Sequence, residues 1–193
     1  MSPYLELEPT TDSPKVVLVA GIPGTGKSTL AEALARRLKA PIFSMDWVLG
    51  SLVLARAITD ENAEAVVDLQ LTALVARHVQ LGIDVIVDAT GHTREERAQW
   101  RELAERLGGE FVGVECVCSD ERLHRERIEG RSRGIPGWHA TVSWQHVERM
   151  RGLWQPWEDD HLVLDSAVET PDSSVERVLP RLSSPPPAGA RRR

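Results

Sequence analysis

Lysine is nearly missing from this chain: Lys15, Lys27 and Lys39 are the only ones, and the formal net charge is -6. That balance excludes a polyanion-binding surface spread over the whole molecule and leaves room only for a local basic groove. Cysteine is equally sparse. Cys116 and Cys118 lie two apart in the apolar run FVGVECVC, which is neither a CxxC redox pair nor half of a zinc site, so both read as reduced core thiols. Asparagine occurs once, at Asn62 inside DENAEA, so the N-K-x-D element that reads guanine is missing. No apolar run approaches the ~20 residues of a membrane helix. The opening MSPYLELEPTTDSPK lacks the basic and apolar regions of a signal peptide. A cytoplasmic protein without membrane attachment is expected.

The 193 residues, 41% hydrophobic and 27% charged, suffice for one sizeable core. The polar, proline-punctuated residues 1–14 and the stretch 183–193, which includes SPPPAGARRR, read as flexible tails around a domain at 15–182. Between them KVVLVA (15–20), APIFSM (40–45), IDVIVDA (83–89), FVGVECVC (111–118) and HLVLD (161–165) read as strands. The first four are largely continuous apolar runs, as in strands buried on both faces of a parallel sheet. Helical patterns fall between them at 27–38, 61–80, 94–107, 120–129 and 142–154. Such alternation implies a three-layer α/β domain with a mostly parallel five-stranded sheet.

After the first strand comes GIPGTGKST, residues 21–29, which fits G-x-x-x-x-G-K-[ST] between a strand and a helix. Glycines let successive backbone N–H groups turn inward, and a helix N-terminus adds positive potential for phosphates. Gly21, Ile22, Pro23, Gly24, Thr25, Gly26, Lys27, Ser28 and Thr29 are therefore the expected nucleotide cradle. Lys27 would reach the β- and γ-phosphates, Ser28 would place its hydroxyl on Mg²⁺, and Thr29 would bond near the α-phosphate. With N-K-x-D missing, ATP is the expected nucleotide.

The third strand ends in Asp88, a second expected magnesium anchor beside the loop. The DATG that Asp88 opens also fits the D-x-x-G of GTPases. Asp46, just past the second strand, is expected at the same carboxyl edge of the sheet, where it would orient or deprotonate an acceptor hydroxyl. The competing role for Asp46 is capping WVLGSLVLARA. Thr93 and Glu96 form a capping box, and Arg94 and Arg97 follow in a first turn where cations oppose the helix dipole. Both are expected to meet an anionic part of the substrate, the competing role being pairing with neighbouring glutamates.

ERLHRERIEGRSRG, residues 121–134, carries five arginines. Spacing of four pairs Glu121 with Arg125 and Arg122 with Glu126, whereas Arg127, Arg131 and Arg133 keep no local acidic partner. With Gly134, Pro136 and Gly137 as a hinge, the segment at about 127–140 reads as a lid. In it Arg127 and Arg131 close over the transferred phosphate and Arg133 touches substrate.

On GIPGTGKST, MDW, VDATGHTREER and CSDERLHRERIEGRSRGIPG, the sequence over 16–165 resembles the P-loop kinases of the AAA-type ATP-binding family. That family includes polynucleotide 5′-hydroxyl kinases, gluconate kinase-like, chloramphenicol phosphotransferase-like and zeta toxin-like enzymes. The resemblance implies a nucleoside-monophosphate-kinase-like fold with an arginine-bearing lid, acting as a monomer or homodimer. It also implies transfer of phosphate from ATP to a hydroxyl. A small-molecule acceptor is expected. The alternatives are the 5′-hydroxyl of a polynucleotide and a regulatory module that hydrolyses ATP without phosphorylating anything. Where many polynucleotide kinase-like members read D-x-T-N, this chain has Gly91 and His92 after DAT.

Overall fold

KVVLVA forms β1 (Lys15–Ala20), buried at every residue, and the rest of the chain is arranged around it. The computed structural model describes residue 4 and residues 7–129, 134–137 and 142–183. In chain order α1 (Lys27–Leu38), β2 (Ile42–Ser44), α2 (Met45–Leu54), α3 (Ala63–Gln80) and β3 (Val85–Asp88) follow. Next come α4 (Arg94–Arg106), β4 (Glu110–Val117), α5 (Glu121–Ile128), α6 (Trp144–Leu153), β5 (Leu162–Asp165) and α7 (Pro171–Ser183). The strands form one sheet in the order β2-β3-β1-β4-β5. Every pairing is parallel, so the sheet is wholly rather than mostly parallel.

Alternation along the strands creates two cores. Val16, Leu18, Val85 and Val87 face α3 and α4 through Val75, Trp100 and Leu103. Val17, Val19, Ile86 and Leu164 face α1 and α7 through Leu34 and Val178. Each fully buried side chain of this size contributes roughly 1.5–3 kcal/mol, so neither face is dispensable. Cys116 belongs to the second core, unpaired, with its thiol pushed up to about 12 by burial, and it therefore stays protonated.

Two helices go beyond the sequence expectations. α2 begins directly after β2, although its mid-helix glycine makes VLGSLVL read poorly as a helix. Gly50 is needed for contact: a Cβ there would lie 2.4 Å from the Pro136 carbonyl oxygen. The segment 134–137 thus rests on α2, and Ile135 is buried beside it. α7 starts at Pro171, a favoured first helical residue, and carries Pro180 near its end. The expected N-terminal tail also differs. The Thr10 amide donates to Leu107 O at 2.8 Å, and the Glu110 amide to Pro14 O at 2.8 Å. Backbone pairing therefore holds residues 10–14 on the domain. The sequence 184–193 lies outside the described residues, and no described helix is long and apolar enough to cross a membrane.

Candidate active site

β1 runs out at Ala20, and the chain turns through Gly24 (φ 89°) and Gly26 (φ 91°) into α1. The loop is held from inside: the Gly21 amide donates to Thr90 O at 3.0 Å, and Thr25 Oγ1 donates to Ile22 O at 2.9 Å. α1 has no side-chain cap and no acidic residue in its first turn. The positive end of its dipole thus faces the loop with no side chain of the helix opposing it, as suits an anion. Lys27, at the first helical position, is buried.

A clamp on this loop was not anticipated from sequence. His124 of α5 is 1% exposed, and its Nε2–H donates to Pro23 O at 2.7 Å. Burial lowers its pKa, the bond to Pro23 opposing that shift, so the ring is neutral near pH 7. A Cβ on Gly24 would lie 2.8 Å from both His124 Cδ2 and Ile128 Cδ1, so only glycine lets α5 close on the loop. A lone histidine inside an arginine-rich helix carries no motif. Only the packing of α5 on the loop reveals its place.

Ser44 caps α2 by position, but its hydroxyl donates instead to Asp88 Oδ2 at 2.9 Å. Asp88 is 3% exposed, and its Oδ1 has no hydrogen-bond partner among the described residues. It pairs in register with Val19, two residues before Gly21. A buried carboxylate with one oxygen unanswered, next to an uncapped anion-binding loop, fits a hard divalent cation. Asp88→Asn is expected to raise the magnesium concentration needed for nucleotide binding by about tenfold, read from binding titrations at varied magnesium. An unchanged requirement would make the carboxylate purely structural.

Asp46 sits in the first turn of α2, half-buried, where it complements that helix's dipole without capping it. With Lys27, Gly24 and Thr90 it lines a cleft of about 970 Å³. A second hollow of about 410 Å³ lies on the other side of the loop, lined by Gly24, Thr29, Arg127 and Ser166 among others. Gly24 borders both, so the loop is a wall between two chambers.

The arginines depart from expectation. The Glu121–Arg125 and Arg122–Glu126 pairs are present at 3.4 and 3.6 Å. Arg127 is met by neutral partners, Nη1 donating to Ser166 Oγ at 2.7 Å and Nη2 to Ser166 O at 2.9 Å. It therefore lines the smaller hollow and not the large cleft. Arg94 turns to Glu158 at 3.0 Å, with its amide on Gln155 Oε1. Arg97 is 3% exposed and donates to the carbonyls of Gly91 (2.8 Å), Gln155 (2.9 Å) and Pro156 (3.1 Å), its guanidinium 4.7 Å from the Trp157 ring centroid. Neither Arg94 nor Arg97 lines the cleft, which corrects the expectation that they contact substrate. The reason is the chain after α6, whose carbonyls and Glu158 answer both cations, where sequence offered only local glutamates. Arg131 and Arg133 lie outside the described residues.

Arg97→Met should strand three carbonyls, two of them in the strap 155–156. We expect a loss of about 3 kcal/mol and a melting temperature lower by roughly 6–12 °C. A change within 1–2 °C, roughly the scale of ordinary surface substitutions, would show that the strap does not depend on this residue.

A protein-family model described as an AAA domain matches residues 16–156. The chain belongs to this family. It contains the loop, Asp46, Asp88 and α4 through α6, the whole of both chambers' shared wall. Solved structures agree on the fold. A protein of Chloroflexus aurantiacus J-10-fl classed as a kinase is 22% identical, with a TM-score of 0.72 over 88% of this chain and 99% of its own. The Mycobacterium tuberculosis APS kinase CysC, in complex with AMPPNP and APS, is 21% identical, with a TM-score of 0.64 over 89% of this chain and 99% of its own. A gluconokinase from Sinorhizobium meliloti 1021 is 17% identical, with a TM-score of 0.60 over 90% of this chain and 93% of its own. No curated protein sequence matches the chain. The five-stranded parallel sheet with its flanking helices is thereby the P-loop kinase fold.

Proposed function

We propose that the protein is an ATP- and Mg²⁺-dependent kinase that transfers the γ-phosphate to a hydroxyl of a small-molecule acceptor. The observation that carries the reading is the cleft of about 970 Å³ in which Lys27 of the loop and Asp46 of α2 form one lining. Phosphoryl transfer is served by a cation on the phosphates and a group that orients the attacking hydroxyl, and this cleft offers Lys27 and Asp46 for those roles. Its volume falls within the range of small-molecule sites.

The acceptor oxygen attacks the γ-phosphorus, forming a new P–O bond while the bond to the β,γ-bridging oxygen breaks. The bridging oxygen leaves with the electron pair as part of ADP, and the hydroxyl proton passes to Asp46. Lys27 and the amides at the head of α1 hold the phosphates. Ser28 and Asp88 would hold magnesium, which supplies neutralisation of the phosphate charge when bound. Gly21 to Thr29 supply the cradle, and His124 keeps it in shape through Pro23. The smaller hollow, bordered by Thr29 and Arg127, suits the nucleoside, with the flat guanidinium fixed by Ser166 as one wall. Arg131 and Arg133 remain assigned to phosphate and substrate contact in the lid.

A screen of hydroxyl-bearing metabolites, antibiotics and oligonucleotides for acceptor-dependent ADP release tests this reading. Release that no acceptor accelerates, yet a protein partner does, would favour a regulatory module. Saturable transfer to a 5′-hydroxyl with a steep salt dependence would favour the polynucleotide alternative.

A further inference from the structure

Residues 22–25 of the loop form a tight turn, in which the Thr25 amide donates to Ile22 O at 3.4 Å. Pro23 is its first central residue, with φ held at about −65° by the ring. Gly24 is the second, with φ 89°. That combination is a type II turn. Proline followed by glycine is also compatible with type I, in which the peptide between the two central residues is turned over and the second φ is about −90°. The local sequence therefore leaves the direction of the Pro23–Gly24 peptide open.

A residue a hundred positions away closes that choice. The Pro23 carbonyl points at α5, where His124 Nε2 meets it at 2.7 Å. A carbonyl can only accept, so the ring carries its proton on Nε2. The peptide is trans, and across a trans peptide the N–H is directed opposite to the C=O, so the Gly24 N–H is aimed away from α5. This amide has no acceptor among the described residues. In the turned-over form it would face the His124 donor, and neither N–H would be answered. The imidazole itself has no room to turn. It is 1% exposed, Gly24 lies against Cδ2, and the Trp144 ring meets it edge-on, with centroids 5.2 Å apart at 83°. Trp144 opens α6 and is covered in turn by the guanidinium groups of Arg125 at 4.6 Å and Arg151 at 5.4 Å. The ring thus sits where the loop, α5 and α6 join.

We infer that His124 is a positioning residue of the phosphate site: its Nε2–H holds the Pro23–Gly24 peptide in the type II orientation and so presents the Gly24 N–H to the phosphates of a bound nucleotide. His124 acts through that peptide and touches neither nucleotide nor acceptor. The inference rests on the loop 21–29 being the phosphate cradle and adds a residue from outside the motif on which its shape depends. An amide aimed beforehand needs no reorganisation when the anion arrives, whereas a peptide free to turn over binds only in its competent fraction.

Two replacements of similar size separate the hydrogen bond from the packing. Glutamine can place an amide N–H where Nε2 stood, and leucine fills the space without a donor. Binding of MgADP and of adenosine, which has no phosphate, is measured by calorimetry on the full-length protein. His124→Leu should weaken MgADP about tenfold, and His124→Gln should hold it within about threefold of wild type, with adenosine affected by neither. MgADP affinity unaltered in His124→Leu, the same loss in both variants, or an equal loss of adenosine would overturn the inference, as would a wild type that does not bind MgADP. Nitrogen NMR of the wild-type imidazole gives a reading that needs no variant to fold. Nε2 should carry a slowly exchanging proton with and without MgADP, and a ring protonated on Nδ1 alone would overturn the inference. Phosphoryl transfer enters none of these readouts. A wild type that binds MgADP and phosphorylates no acceptor would refute the kinase reading and leave His124 in its role, and transfer together with unaltered MgADP binding in His124→Leu would do the reverse.

Discussion

Lys27→Met is expected to fold with an unaltered melting temperature and to lose phosphoryl transfer by about 10³-fold or more. Lys27 occupies the first position of a helix whose N-terminus has neither a side-chain cap nor an acidic residue, so in the proposed site its charge and the backbone amides would act on one anion. Methionine keeps the length and apolar stem of the side chain, which matters because Lys27 is buried, and removes only the ammonium. The amides and Asp88 remain, so nucleotide should still bind, more weakly. Binding measured directly against the transfer rate separates the two effects. Transfer within tenfold of wild type, roughly 1.4 kcal/mol, would mean that the loop binds a nucleotide without acting on it.

The second large effect is expected at Asp46. Asp46→Asn preserves size and hydrogen bonding but cannot take a proton, so kcat should drop by about 10²–10⁴-fold with the KM for ATP nearly unchanged. The split between kcat and KM is informative here. Asp46 shares a cleft with Lys27, and the smaller hollow proposed for the nucleoside lies across the loop, so a loss confined to kcat would point to the acceptor's chemistry. A rise in the KM for ATP with kcat preserved would reassign Asp46 to the nucleotide. Loss of fold, read from the melting transition, would reduce it to a helix-dipole residue of α2.

The parts of this molecule that follow local rules were legible in its sequence. β1, the loop 21–29 and α1 were read at their observed bounds, because a continuous apolar strand, a glycine-rich turn and a helix period occur there in immediate succession. The capping box at Thr93 and Glu96 likewise depends on neighbours only. What escaped depends on partners remote in sequence. Arg97 was expected to meet an anionic part of the substrate because its acceptors, Gln155 and Pro156, lie nearly sixty residues away. Arg127 looked destined for phosphate because Ser166, thirty-nine residues on, carries no charge to notice. His124 had no signal at all until α5 was seen against Pro23. α2 entered the sequence reading only as the competing role of Asp46, because a glycine that weakens an isolated helix is what lets Pro136 approach it.

The most direct measurement follows label from the γ-position of ATP in the presence of a hydroxyl-bearing acceptor found in the ADP-release screen. The account predicts that acceptor-linked phosphate appears one for one with ADP, in wild type and not in Asp46→Asn. Label released to water as inorganic phosphate at a rate that no acceptor alters, and that the Asp46 substitution leaves untouched, would contradict it.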